Sequence, residues 1–213
     1  MFTLATGLLL GSLLGMRHAL EPDHLAAVSV LVTRGGAKRG AAALGAVWGL
    51  GHSLSLFVVG CVLAAIGARL PNRLGDAFEL LVGVMLMALG GRAVLRALPG
   101  TPSSAPRRHS GPHQWLRQPL IVGMIHGLAG SGALTALVLA NLPTAAMRLG
   151  YIALFGLGSV VGMAFLTGLA GWPLARLDER GKLAIGLSMA TGTMSFVLGS
   201  FWGWAALRDL LHG

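Results

Sequence analysis

A run of ionisable side chains stands inside an apolar stretch near the start of the chain. The segment GMRHALEPDH, residues 15–24, is flanked by TLATGLLLGSLL and LAAVSVLV. Its ionisable residues are Arg17, His18, Glu21, Asp23 and His24. Neutral imidazoles combined with a carboxylate form a nitrogen-rich, borderline-soft ligand set, which suits Ni(II), Co(II), Zn(II) or Cu(II) better than Mg(II) or Ca(II). These residue types therefore indicate a site for a transition-metal ion.

Pro22 predicts a break in the helix that carries these residues. Proline cannot donate a hydrogen bond to the carbonyl of His18, and its ring clashes with that carbonyl. Glu21, the residue before proline, is disfavoured in the helical conformation. In a regular helix His18 and His24 would be about 240° apart around the axis. A break between them would let both face one point, and it would free the His18 carbonyl to face a cation or water.

The composition predicts a polytopic membrane protein around this motif. The chain of 213 residues is 54% hydrophobic and 11% charged, whereas soluble domains carry about 25% charged residues. Several apolar runs are long enough to cross the roughly 30 Å of hydrocarbon in a bilayer. The lone Cys61 excludes an intramolecular disulfide. The expected spans are 2–33, 41–69, 76–97, 118–140, 145–171 and 181–207.

The net charge of +9 indicates membrane orientation rather than nucleic-acid binding. Most of the 16 Lys and Arg residues lie in the segments 34–39, 92–117 and 176–182, all on one side of the predicted membrane. The positive-inside rule assigns that side to the cytoplasm. We therefore expect an integral, multi-pass protein of the bacterial inner membrane, with both termini outside the cytoplasm and with contacts to anionic lipid.

Histidines in three predicted spans lie at a similar depth. At about 1.5 Å per helical residue, His24, His52 and His126 are each roughly 12–16 Å from the cytoplasmic ends of their spans. The candidate metal ligands are His18, Asp23, His24 and His52, followed by Glu21, His126, Ser53 and Met1. Two alternatives stay open. A single intramembrane histidine can instead form an interhelical hydrogen bond, and Glu21 can be a second ligand or a proton acceptor.

The chain contains an internal repeat at an offset of about 108 residues. GMRHAL at 15–20 returns as GMIHGL at 123–128, and the sequence G-L-G occurs at corresponding places in WGLGHSLSLFVVG and FGLGSVVGMAFLTG. Three spans in each half would place the second half upside down relative to the first. Inverted repeats of this kind are typical of secondary transporters, whose sites lie near the membrane midplane at the repeat interface.

The expected fold is an all-α polytopic membrane protein. It has six transmembrane helices in a 3+3 inverted repeat, and the first helix is broken near Pro22. Residues 1–97 form the first three-helix repeat with the metal motif, residues 98–117 form a flexible cytoplasmic loop, and residues 118–213 form the second repeat. The halves are unequal, because Ala-Gly-Ser-Gly stands in the second half where the first has Glu-Pro-Asp-His.

The segment RHALEPDH has the form His-x4-Asp-His and resembles the signature of the nickel/cobalt transporter (NiCoT) family, where it lies in a transmembrane helix and is required for metal uptake. LGHS at 50–53 is similar to that family's next motif. The resemblance implies that His18, Asp23, His24 and His52 are the metal-binding residues. Typical members have eight spans and acidic motifs in the later half. HGLAGSGALTALVL at 126–139 has no carboxylate, so the chain is more similar to six-span, urease-accessory-type (UreH-like) relatives.

These observations predict a permease for a divalent transition-metal ion and no enzyme, and the family resemblance implies Ni(II) first and Co(II) second. The metal would be the transported substrate, with no resident cofactor. The family resemblance also implies a link to nickel-enzyme maturation. One alternative is a transporter of a small anion, with Arg17 as the counter-charge. Another is a membrane component of a larger metal-delivery system. An intramembrane metalloenzyme is disfavoured, because the His-Glu-x-x-His signature of metalloproteases is absent from the sequence.

Overall fold

The part of the protein that the computed structural model describes is helical. It comprises residues 4–33, 40–66, 70–98, 114–129, 142, 144–177 and 181–212. Within these residues the chain forms seven helices and no strand. In chain order the helices are α1 (Leu4–His18), α2 (Pro22–Leu31), α3 (Ala41–Ile66), α4 (Asn72–Ala97), α5 (Gln114–Ala129), α6 (Ala145–Leu174) and α7 (Lys182–His212).

Four of these helices are long and apolar enough to cross a bilayer. The segments concerned are Ala41–Leu63, Asn72–Ala97, Ala146–Leu174 and Lys182–His212. The helices α1, α2 and α5 have 15, 10 and 16 residues, fewer than the roughly 20 that a spanning helix needs. The predicted class, a helical membrane protein, is confirmed, whereas the set of six spans stays a prediction. Helix α5 begins at Gln114, inside the segment assigned to a cytoplasmic loop, and residues 99–113 of that segment lie outside the described residues.

The helices pack closely at small residues. Helix α1 lies against α6, α3 lies against α5 and α6, and α4 lies against α7. A Cβ atom on Gly15 of α1 would lie 2.0 Å from the carbonyl oxygen of Phe155, and one on Gly123 of α5 would lie 2.0 Å from that of Trp48. Neither position can accept a larger residue without moving a helix. Close backbone approach at small residues is typical of membrane helices.

The helix is interrupted between α1 and α2, which confirms the break predicted at Pro22. Glu21 is extended, with φ −63° and ψ 146°, and Pro22 begins α2, where the missing amide proton costs no hydrogen bond. The prediction that the His18 carbonyl is free was wrong. The chain turns before the proline, and the carbonyl accepts a hydrogen bond from the amide of Glu21 at 3.0 Å.

Helix α2 is short and lies inside the bundle. It packs against α4 and α7, and it is apolar around most of its circumference, as expected for a helix surrounded by protein. Its buried residues are Asp23, His24, Ala26, Ala27, Val28, Val30 and Leu31. Because α2 begins directly after the break, its first turn places a carboxylate and an imidazole in the interior.

Candidate metal centre

Three histidines from three helices meet in the interior of the bundle. His18 ends α1, His24 lies in the first turn of α2, and His52 lies near the middle of α3. Their ring centroids are 4.5 Å (His18 to His24), 5.1 Å (His18 to His52) and 5.2 Å (His24 to His52) apart. All three are buried, and one nitrogen from each lies within 4.8 Å of the others. The structure thus brings together the three histidines singled out as candidate ligands.

These histidines carry nitrogen atoms that have no hydrogen-bond partner. Among the described residues, the unpartnered buried atoms include Nε2 of His18, Nε2 of His24 and both ring nitrogens of His52. Most buried polar atoms in proteins are hydrogen-bonded, and one left unsatisfied costs about 1–3 kcal/mol. A neutral imidazole has one nitrogen that carries a lone pair. Three such rings facing one point are suited to hold a transition-metal ion.

Carboxylates bind Nδ1 of two of the rings and leave the buried Nε2 atoms of those rings free to bind a metal ion. Glu21 Oε1 accepts a hydrogen bond from Nδ1 of His18 at 2.8 Å, and Asp23 Oδ1 accepts one from Nδ1 of His24 at 3.0 Å. These bonds require the proton on Nδ1, so the lone pair is on Nε2. Metal-binding histidines usually donate their other N–H to a carboxylate or carbonyl in this way, which fixes the tautomer.

A fourth histidine joins the cluster through the second oxygen of Asp23. His126, which is buried in α5, donates from Nε2 to Asp23 Oδ2 at 2.7 Å. The rings of His24 and His126 are 4.4 Å apart, and Nδ1 of His126 has no partner among the described residues. Asp23, His24 and His126 also each offer a ligand atom within 4.8 Å of the other two. Four imidazoles and one carboxylate therefore form one continuous buried cluster.

The remaining candidates lie around this cluster or outside the described residues. Ser53 is half-buried and its hydroxyl donates to the carbonyl of Gly156 at 2.8 Å, joining α3 to α6. Arg17 is exposed. Met1 lies outside the part of the chain that the structure describes.

Two cavities border the cluster. The first, of about 490 Å³, is lined by Leu14, Arg17, His18, Leu20, Glu21, Pro22, Tyr151 and Phe155. The second, of about 280 Å³, is lined by Glu21, Asp23, Glu79, Val82, Ala129, Trp202 and Ala205. Glu21 lines both cavities, and three carboxylates line the second.

Sequence reasoning assigned no role to two residues that contact this region. Glu79, in α4, lines the same cavity as Asp23. Trp48 is buried, with its ring 5.5 Å from that of His24 and 5.8 Å from that of His126. Its position four residues before His52, one helical turn away on the same face, was the signal available in the sequence.

Comparison with known proteins identifies relatives of this chain. Residues 5–100 match a family model described as a high-affinity nickel-transport protein, NicO. The chain is 31% identical over 204 residues to the urease accessory protein UreH of Bacillus sp. (strain TB-90), covering 90% of this chain and 88% of that protein. It is 26% identical over 180 residues to the Chloroplast protein FOR GROWTH AND FERTILITY 2 of Arabidopsis thaliana, covering 80% of this chain and 48% of that protein. No solved structure matches it significantly.

The fold, the buried histidines and the family model together indicate a membrane transport protein of the nickel type. The chain belongs to the nickel/cobalt transporter family and is similar to the UreH-like members. The family resemblance seen in the His-x4-Asp-His motif is therefore confirmed.

Proposed function

We propose that this metal permease carries Ni(II), with Co(II) as the next best substrate, through the buried histidine cluster. The observation that carries the proposal is the set of unpartnered nitrogens on His18, His24 and His52. Imidazole nitrogen favours late first-row divalent ions over Mg(II) and Ca(II). These nitrogens replace water molecules of the ion's hydration shell, and so they stabilise the ion inside the helix bundle.

The charges around the cluster support a cation as the substrate. Asp23 supplies the buried carboxylate among the ligand candidates, and the cavity that reaches it is also lined by Glu21 and Glu79. Negatively charged clefts raise the local concentration of cations. Arg17, the counter-charge in the anion-transport alternative, is exposed and lines only the other cavity of the two. The buried carboxylate and imidazole ligands thus favour transport of a cation over transport of an anion.

Contacts between helices support the 3+3 inverted repeat of residues 1–97 and 118–213. Gly15 faces Phe155, and Gly123 faces Trp48. In the repeat, Gly15 corresponds to Gly123 at an offset of 108 residues, and Trp48 corresponds to Phe155 at an offset of 107. The two contacts are therefore equivalent. Equivalent contacts of this kind are expected when two halves are related by a pseudo-twofold axis.

The contact between α4 and α7 repeats the same pattern. A Cβ on Gly199 would lie 2.6 Å from the carbonyl oxygen of Gly83, and a Cβ on Gly90 would lie 2.4 Å from that of Gly192. At an offset of 109 residues, Gly83 corresponds to Gly192 and Gly90 corresponds to Gly199, so these two contacts are also equivalent. Six spans arranged in this way put the histidine cluster at the interface of the halves, where rocking of one half against the other can open it to each side of the membrane in turn.

The similarity to a urease accessory protein supports a cellular role in supplying nickel for the maturation of a nickel enzyme. The charge distribution supports an orientation in the bacterial inner membrane with both termini outside the cytoplasm. In that orientation α4 begins and α7 ends on the outer side. The cavity lined by Glu79 and Trp202 then faces outward.

Flux into proteoliposomes tests the proposal. Vesicles with an entrapped fluorescent chelator are exposed to Ni(II), Co(II) or Mg(II), with wild type compared with His18→Ala and His52→Ala. His212→Ala removes an exposed histidine at the end of α7 and is the matched control. We expect wild type and the control to carry Ni(II) faster than Co(II) and to carry no Mg(II), whereas both cluster variants lose flux. A folded wild type that moves neither Ni(II) nor Co(II) contradicts a permease that works alone.

A further inference from the structure

We propose that the cluster offers a single ion two overlapping positions that share His24. One position is formed by His18, His24 and His52, and the second by Asp23, His24 and His126. The proposal rests on the proposed function for the identity of the ion and for its transport. It makes His126, which stands outside the His-x4-Asp-His motif, a metal ligand, and it describes a handover inside the protein.

The second position has its own ligand geometry. Asp23 Oδ1 is 3.0 Å from Nδ1 of His24, and Oδ2 is 2.7 Å from Nε2 of His126. All three residues are buried, at 8%, 1% and 1% exposure. Two imidazoles and one carboxylate are a ligand set used for divalent first-row metals. The carboxylate ligand also offsets one of the two positive charges of the metal ion, whereas the three-histidine position has no charged ligand.

The two nitrogens of His24 face different positions. Nδ1 contacts Asp23, whereas Nε2 is unpartnered and is the nitrogen left for His18 and His52. A neutral imidazole carries a lone pair on one nitrogen and a proton on the other. His24 therefore serves one ion at a time. While the ion is at the second position, His24 carries its proton on Nε2 and His126 carries its proton on Nδ1, the nitrogen of each ring that has no partner among the described residues. As the ion passes to the three-histidine position, each ring returns its proton to the nitrogen that faces Asp23, Nδ1 of His24 and Nε2 of His126, so the charge of the protein does not change.

Each position borders a different cavity, which gives the handover a direction. The cavity lined by Glu21 and Glu79 reaches Asp23, and it includes Ala129 in the turn that follows His126. The other cavity reaches His18 and is lined by both Glu21 and Arg17, so a positive charge offsets its one carboxylate, whereas three carboxylates line the cavity that reaches Asp23. The ion accordingly enters at the carboxylate position and moves to the three-histidine position.

The proposal is tested by Ni(II) binding and by X-ray absorption on the purified full-length protein in detergent. His24→Ala removes a ligand from both positions, so binding is lost. His52→Ala retains one ion per chain with a carboxylate oxygen and two imidazoles around it, whereas His126→Ala retains one ion with three imidazoles. Both lose flux in proteoliposomes, because the handover needs both positions. His212→Ala matches wild type throughout.

His126→Gln separates ligation from simple positioning. The glutamine amide can still donate to Asp23 but offers no imidazole nitrogen, so the proposal requires flux to fall at least tenfold. Flux like that of wild type in His126→Gln overturns the second position, as does loss of all Ni(II) binding in a folded His52→Ala. Wild type that binds no Ni(II) contradicts the proposed function itself, and that result differs from either of these.

Discussion

Replacing Asp23 with asparagine tests the hydrogen-bond arrangement of the cluster most sharply. The carboxylate accepts an N–H from His24 at 3.0 Å and another from His126 at 2.7 Å. An asparagine of the same shape has one oxygen and one NH2 group, so it can accept from one histidine but must point a donor at the other. One imidazole then changes its tautomer or turns away, and the negative charge is lost.

The size of this effect follows from the loss of one of the two hydrogen bonds. A hydrogen bond to a charged group contributes about 1.5–3 kcal/mol, and each 1.4 kcal/mol corresponds to about tenfold in affinity. Loss of one of the two bonds should therefore weaken Ni(II) binding by about 10–100-fold, which is also the usual effect of removing an outer carboxylate partner from a metal-bound histidine. We expect Asp23→Asn to show this loss.

Isothermal titration of the purified protein with Ni(II) measures the change. Asp209→Asn is the matched control, because Asp209 is 59% exposed and its contact with Arg208 is 3.7 Å long, and exposed pairs of this kind contribute little. A folded Asp23→Asn protein that binds Ni(II) within twofold of wild type would refute the assignment of Asp23 to the metal centre.

Three further predictions concern residues around the cluster. Glu21→Gln should weaken Ni(II) binding by less than about tenfold in a titration, because Glu21 is 53% exposed and water screens its bond to the ring. Glu79→Gln should slow uptake at low salt and leave equilibrium affinity unchanged, since its charge acts on the approaching ion; equal rates at low salt would contradict this. Gly123→Ala should lower the free energy of unfolding by about 1–3 kcal/mol through overpacking, because its Cβ would meet the Trp48 carbonyl at 2.0 Å. Gly186→Ala has nothing within 4 Å and is its control in thermal unfolding.

Local stereochemistry made part of the site predictable from the sequence. Proline restricts its own residue and the one before it whatever the tertiary structure is, so the break before Pro22 and the convergence of His18 and His24 could be deduced. His52 could be included because helix rise converts sequence position into depth. In these cases the stereochemistry of a single chain segment was sufficient for the prediction.

The partners of each polar atom could not be deduced in the same way. Asp23 was expected to be a ligand, yet it also accepts a hydrogen bond from His126, which is 103 residues further along the chain. That contact depends on how α2 and α5 cross. The same limit applies to Glu79, whose place beside Asp23 depends on the packing of α4 against α2. The His18 carbonyl was misjudged because the turn brings back the amide of Glu21.

The most direct test of the central claim is the initial rate of Ni(II) uptake by proteoliposomes that contain wild type or His24→Ala. His24 is 1% exposed and is the residue that both donor groups share. The account predicts Ni(II)-dependent uptake by wild type and uptake at the rate of protein-free vesicles for the variant, provided that both elute as folded protein. Uptake by His24→Ala at the wild-type rate would contradict transport through the buried histidine cluster.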